Sequence, residues 1–145
     1  MSLPYLDTGF ALKRYVQEPN SPAAKAALLA FTPPLPLTDL LEMELVNALH
    51  GKVFRNEMTQ RECDQCLANF ESDIAAGFWE RCDLNASRLR FRFMELSHAH
   101  TAATGTRTLH LLHIAAALEL QADVLLSFDN KQRAAALAAD LTVRP

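Results

Sequence analysis

Short apolar runs alternate with stretches of helical periodicity along almost the whole chain. Leu3 to Leu6 is apolar and ends at Asp7, after which Phe10, Leu12, Tyr15 and Val16 fall on helical spacing. Pro19 and Pro22 break that helix, Ala23 to Phe31 predicts a second one, and Pro33, Pro34 and Pro36 precede a short strand at Leu37 and Thr38. Asp39 and Glu42 have the D-x-x-E spacing of a capping box, so a helix is expected to begin there, with Leu41, Leu45, Ala48 and Leu49 on one face. A longer helix is predicted from Thr59 to about Ala76, a weak strand over Phe78 to Cys82, and a helix opened by Asn85 with the stripe Leu89, Phe93 and Leu96. Gly105 ends that region.

Thr106 to Leu120 is apolar on nearly every side, which predicts a helix buried between other elements. The strongest strand signal follows, Asp123-Val-Leu-Leu-Ser-Phe, ending at Asp129; a helix from about Lys131 to Ala139 and a short strand from Leu141 to Val143 complete the pattern. Strands alternating with helices imply right-handed crossovers and a parallel sheet covered on both faces. The expected class is α/β, as a single domain over 1–145.

Composition narrows the function classes. A chain of 145 residues that is 50% hydrophobic can bury one core, and no run approaches the roughly 18 unbroken apolar residues of a membrane span. The start of the chain lacks a basic segment followed by a long apolar one, so a soluble, cytoplasmic protein is expected. The net charge of −3 argues against binding nucleic acid through bulk electrostatics, which leaves only a local patch for RNA. Cys63 and Cys66 form a lone C-x-x-C in helical sequence with no second pair, so neither zinc nor redox chemistry is expected there.

Candidate chemistry sits at strand ends. In an open parallel sheet, ligands bind beyond the carboxyl ends of the strands. Asp7 and Asp129 each close an apolar run and precede a helix, so they can converge, although each also suits the plain role of helix N-cap. Glu44 lies on the helix face of Leu41, Leu45 and Ala48 and is expected to point inward, whereas Glu42 has an adequate role in the capping box. Three converging carboxylates suit a hard divalent cation, Mg²⁺ or Mn²⁺, and such an ion suits phosphodiester cleavage.

Four blocks carry a family resemblance: Tyr5-Leu-Asp-Thr, Glu44-Leu-Val-Asn-Ala-Leu, Arg107-Thr-Leu-His-Leu-Leu-His-Ile-Ala-Ala-Ala-Leu and Leu126-Ser-Phe-Asp-Asn. In order and spacing they resemble the conserved blocks of PIN-domain toxins of the VapC type. The resemblance implies a three-layer α/β/α sandwich with a short central parallel sheet, a homodimer, Mg²⁺- or Mn²⁺-dependent endoribonuclease activity and neutralisation by a cognate antitoxin. Asp7, Glu44 and Asp129 fall on three positions of the family's acidic site. Thr8, Arg107, Asn130 and Lys131 become candidates for substrate contacts, with Arg133 a further one for phosphate.

His110 departs from the pattern, because the family carries aspartate at that position; a histidine at the position of His113 is common and implies a packing or supporting role. Three readings of His110 stand open. It can be a metal ligand that shifts preference away from Mg²⁺, a residue that lowers or abolishes cleavage, or a change acquired when a toxic gene is propagated without its antitoxin. Arg88, Arg90 and Arg92 alternate with Leu89, Phe91 and Phe93, a basic strip that on a helix spreads around the surface and suits solvent or dimer contacts better than RNA. His98 and His100 read as surface residues. A phosphatase of the haloacid dehalogenase type wants an aspartate where Gly9 stands, and a response-regulator receiver wants an acidic pair by the first strand and a lysine after a late one; neither pattern is complete. The rival reading is a PIN-like protein that binds antitoxin or RNA without catalysis.

Overall fold

Tyr5 and Leu6 point to opposite faces of the first strand, and that alternation generates the architecture. In the computed structural model, which describes residues 2–145, strand β1 (Pro4–Leu6) pairs in parallel with β4 (Val124–Leu126), and β4 with β5 (Thr142–Arg144). A second parallel ladder joins β2 (Leu35–Thr38) to β3 (Trp79–Cys82). Leu6, Val124 and Leu126 face one apolar core, while Tyr5 and Leu125 face another. The period of two along a strand thus feeds two layers.

The helices divide accordingly. On the first face lie α1 (Thr8–Leu12), α2 (Ser21–Leu28), α3 (Asp39–Phe54) and α4 (Gln60–Ala75), contributing Phe10, Ala24, Leu41, Leu45, Leu49 and Phe70 to the core. On the second lie α5 (Ala86–Leu96), α7 (Thr108–Glu119) and α8 (Asn130–Ala138), contributing Leu96, Leu111, Ile114, Ala135 and Ala136. Helix α5 runs through a π-helical turn (Ser97–Thr101) into α6 (Ala102–Thr104), which Gly105 closes at φ 66°, a left-handed conformation that costs glycine little. The expected three-layer α/β/α sandwich is the observed one.

The sheet is less continuous than its simplest form. Strands β1 and β2 lie side by side without a shared ladder. Asp7 N–H donates to the Leu126 carbonyl at 3.1 Å, so by alternation Pro4 faces β2; Leu35 N–H donates to Phe78, so Pro36 faces β1. Both facing positions lack an N–H. The Tyr5 hydroxyl, 3.0 Å from Thr38 Oγ1, makes a side-chain link between the two ladders.

Several local expectations change. Helix α1 stops at Leu12, short of Val16. Pro22 does not break a helix but sits in the first turn of α2, where its missing N–H would have no partner anyway. Strand β2 begins at Leu35. The N-cap of α3 is Thr38, whose Oγ1 accepts from Leu41 N–H, not Asp39; Glu42 makes no capping box and instead takes both sides of the Arg81 guanidinium, at 2.8 and 3.2 Å. A full capping box does form at Thr59 and Glu62, at the start of α4. Cys63 and Cys66 are buried in the first core, and burial pushes both thiols up from their ordinary pKa. Arg88 and Arg92 pair with Glu119 of α7 at 3.2 and 3.1 Å, so two of the three arginines in the basic strip bind their own domain.

The chain after α1 is anchored to α4 and β3 through Asp73. Its carboxylate takes two hydrogen bonds from Arg14, at 2.7 and 3.2 Å, and one from the Tyr15 hydroxyl, which in turn accepts from Trp79 Nε1 at 2.7 Å. Burial acts to raise the Asp73 pKa, but the bonds from Arg14 and Tyr15 outweigh it and leave it below the ordinary value. A carboxylate depressed in the folded state contributes stability above its unfolded pKa of about 3.9 and loses it as pH falls through the folded value. Asp73→Asn is therefore expected to cost about 2 kcal/mol at neutral pH. Chemical denaturation of both proteins from pH 7 down to pH 2 should show the gap closing in acid; a constant gap would count against this account.

Candidate functional site

The register of β1 on β4 decides where the acids meet. Leu6 is opposite Leu126, so Asp7 emerges beside Ser127, two residues before Asp129. Both aspartates do cap helices: Asp7 Oδ2 accepts from Gly9 N–H at 3.2 Å at the start of α1, and Asp129 Oδ1 accepts from Gln132 N–H at 2.7 Å at the start of α8. Capping and site roles coincide, because a helix that begins at a strand's carboxyl end holds its cap at the sheet edge. Asp7, Thr8, Glu44, His110 and Asp129 line one cavity of about 230 Å³.

Its inner half is held by hydrogen bonds. Asp7 is only 5% exposed, and besides Gly9 it accepts from Gln132 Nε2 at 3.2 Å. Glu44 Oε1 accepts from Thr8 Oγ1 at 3.1 Å and from His113 Nε2, which also lies 4.0 Å from Asp7 Oδ1. The His113 bond holds the Glu44 pKa below its ordinary value against the opposing effect of burial. His113 is fully buried, and its Nδ1 meets the Tyr5 hydroxyl at 2.8 Å.

The outer half is looser. His110 lies in the first turn of α7, and its Nδ1 stands 3.7 Å from Asp129 Oδ1; these side chains are 32% and 37% exposed. Arg107, Asn130 and Lys131 line an adjoining cavity of about 450 Å³ that shares His110, Phe128 and Asp129. The structure thus brings these three candidates to the rim. Thr8 is engaged with Glu44, and Arg133 is turned away, donating to the carbonyls of Ser127 and Pro145 at 2.7 and 2.8 Å. A larger groove of about 580 Å³, lined by Tyr15, Leu28, Leu29 and Phe31, holds only one carboxylate, Asp73, already paired with Arg14.

The donor chemistry of the smaller cavity suits a hard divalent cation. Among the described residues, none of Asp7, Glu44 and Asp129 has a lysine or arginine ion pair, and neither Glu44 Oε2 nor Asp129 Oδ2 takes a hydrogen bond. Also among them, no three carboxylate, imidazole or thiol groups stand close enough together to hold an ion.

Gln132 carries no sequence signal. It lies in Asn-Lys-Gln-Arg, which reads as an exposed first turn, yet it is fully buried. Its Nε2 donates to Asp7 and to the His110 carbonyl at 3.0 Å, while its Oε1 accepts from Ser127 Oγ at 2.5 Å. Thr38 and Ser127 were likewise hidden, since a buried hydroxyl and an exposed one look alike in sequence.

No protein-family model and no curated protein matches the sequence. Solved structures do match over nearly the whole length. FitAcB from Neisseria gonorrhoeae aligns with a TM-score of 0.71 at 15% identity, covering 99% of this chain and 97% of that one. VapC20 of Mycobacterium tuberculosis, a toxin that cleaves the sarcin-ricin loop, aligns with a TM-score of 0.68 at 15% identity, covering 98% and 99%. VapBC2 from Rickettsia felis, solved bound to a DNA fragment from its promoter, aligns with a TM-score of 0.66 at 18% identity, covering 98% and 97%. At such identities the likeness establishes the fold, the PIN-like α/β sandwich of these proteins.

Replacing Gln132 by leucine should destabilise the protein by about 2–4 kcal/mol, because Asp7, Ser127 and the His110 carbonyl each lose a buried partner. Urea unfolding with an unchanged slope measures it. A loss below about 1 kcal/mol would mean that water replaces the amide at little cost.

Proposed function

We propose that this chain is a VapC-type PIN-domain toxin, a divalent-metal-dependent endoribonuclease with activity lowered by His110. The observation that carries this reading is the meeting of Asp7, Glu44 and Asp129 around one cavity at the carboxyl ends of β1 and β4, with no lysine or arginine ion pair to any of them among the described residues; Lys13, on the same wall, is paired with Glu18 at 3.3 Å. The fold shared with VapC20 supports it. The oxygen donors favour Mg²⁺ or Mn²⁺, which when bound would acidify a water and offset charge on the scissile phosphate.

The residues of the chain have distinct tasks in this reading. Asp7 and Glu44, fixed by Gln132, Thr8 and His113, provide the rigid side of the ligand set. Asp129 provides the outer oxygen. Arg107 and Lys131, on the rim beside it, face the phosphate backbone of an RNA strand and offset locally the overall charge of −3. His110 stands where a fourth carboxylate is expected, and an uncharged imidazole there weakens the hold on Mg²⁺ more than on Mn²⁺.

The reading includes a homodimer, a cognate antitoxin as partner and a cytoplasmic location. FitAcB and VapBC2 share this fold, and among the described residues no helix is long and apolar enough to cross a membrane. A second reading, a PIN-like protein that binds antitoxin or RNA without cleaving, is favoured by His110 itself.

An RNA cleavage assay on the native chain and on His110→Asp, each with Mg²⁺ and with Mn²⁺, separates the two. The expected result is weak cleavage by the native chain, better with Mn²⁺, and a gain of at least about tenfold for His110→Asp with Mg²⁺, equivalent to about 1.4 kcal/mol of transition-state stabilisation. Intact RNA in all four reactions would favour the binding role.

A further inference from the structure

His113 is a buried imidazole with hydrogen-bond partners on both nitrogens, and the direction of each bond can be worked out. Glu44, when ionised, only accepts, so His113 Nε2 must carry the hydrogen it shares with Glu44 Oε1. On the other side of the ring, Nδ1 lies 2.8 Å from the Tyr5 hydroxyl, which lies 3.0 Å from Thr38 Oγ1. Thr38 Oγ1 already accepts from Leu41 N–H at 3.2 Å. One arrangement gives every hydroxyl proton an acceptor: Thr38 donates to Tyr5, Tyr5 to His113 Nδ1, and His113 Nε2–H to Glu44.

This chain spans three elements of the site. Thr38 is the N-cap of α3, the helix that carries Glu44; Tyr5 is on β1, which delivers Asp7; and His113 is on α7, one turn beyond His110. All three side chains are buried, Tyr5 and His113 completely. Glu44 is thus gripped at Oε1 by His113 and Thr8, while Oε2 has no hydrogen-bond partner among the described residues.

We propose that His113 is a positioning residue: backed by Tyr5 and Thr38 and locked in its Nε2–H tautomer, it holds one oxygen of Glu44 and so presents the other to the metal side of the cavity. This rests on the metal-site reading above. Partners that orient a ligating carboxylate typically change metal affinity by about 10–100-fold when removed.

Two measurements test it. Histidine-ring ¹⁵N spectra of the metal-free protein should show His113 as the Nε2–H tautomer, and Tyr5→Phe should mix the tautomers. Mn²⁺ titration calorimetry on folded protein should show His113→Leu binding about 10–100-fold more weakly than the native chain. His113→Gln, whose amide can still donate to Glu44, should recover most of that loss, and Tyr5→Phe should weaken binding about fivefold. A purely structural His113 would lower the melting temperature in these variants and leave the Mn²⁺ affinity of the folded protein unchanged, which would overturn the proposal. Should His113→Leu fail to fold, Tyr5→Phe, which keeps the ring and removes only its anchor, decides on the same criterion. A native chain that binds no Mn²⁺ would overturn the metal-site reading together with the proposal, whereas Mn²⁺ binding indifferent to Tyr5→Phe would overturn the proposal alone.

Discussion

The Asp7 carboxylate is almost entirely removed from water and, among the described residues, has no lysine or arginine ion pair. A charge in that position must be solvated by the fold itself, because burying it bare costs far more than a domain of this size can spare. The solvation comes from two directions. Gly9 N–H belongs to the helix that Asp7 begins, and Gln132 reaches across from α8, where it also donates to the His110 carbonyl of α7. Helices before and after the strands are therefore tied to one carboxylate, and the packing of α1, α7 and α8 around the end of β1 follows from that requirement as much as from apolar burial.

The same constraint divides the site into a fixed half and an open half. Asp7 and Glu44 are oriented by Gln132, His113 and Thr8, so their positions are set by the fold itself. Asp129 and His110 remain a third exposed at the rim, next to Arg107 and Lys131. His110 stands on this open half. A histidine in place of Asp7 on the buried side would leave Gln132 and Gly9 without their acceptor and disturb the core, whereas the histidine at the rim leaves the scaffold standing.

Much of this was legible in the sequence. Alternating apolar runs and helical periodicity placed every strand and most helices, since the burial that produces a two-sided sheet must also repeat along the chain. Asp7 and Asp129 were recognisable from their place after apolar strands, and Glu44 from the inward face of α3. The misread details were boundaries at which two rules compete. Pro22 acts as a breaker within a helix but is welcome in the first turn, and Thr38 outcompetes Asp39 as cap because its own backbone is extended. The Glu42 capping box failed because the cap is Thr38, which leaves Glu42 one residue beyond the N3 position, and its carboxylate pairs instead with Arg81 of β3, distant in sequence.

What the sequence by itself determined is the class of fold and which acids could meet, because both depend on local patterns: periodicity along the chain and the residue types at strand ends. What the tertiary structure decided is how those acids are held. Gln132, Tyr5, Thr38 and His113 act through hydrogen bonds between residues remote in sequence, and a polar side chain carries no mark of whether it will face water or a buried carboxylate. That assignment exists only once the parallel pairing of β1 with β4 has set Asp7 beside the start of α8, and the burial it imposes has made each of those partners necessary.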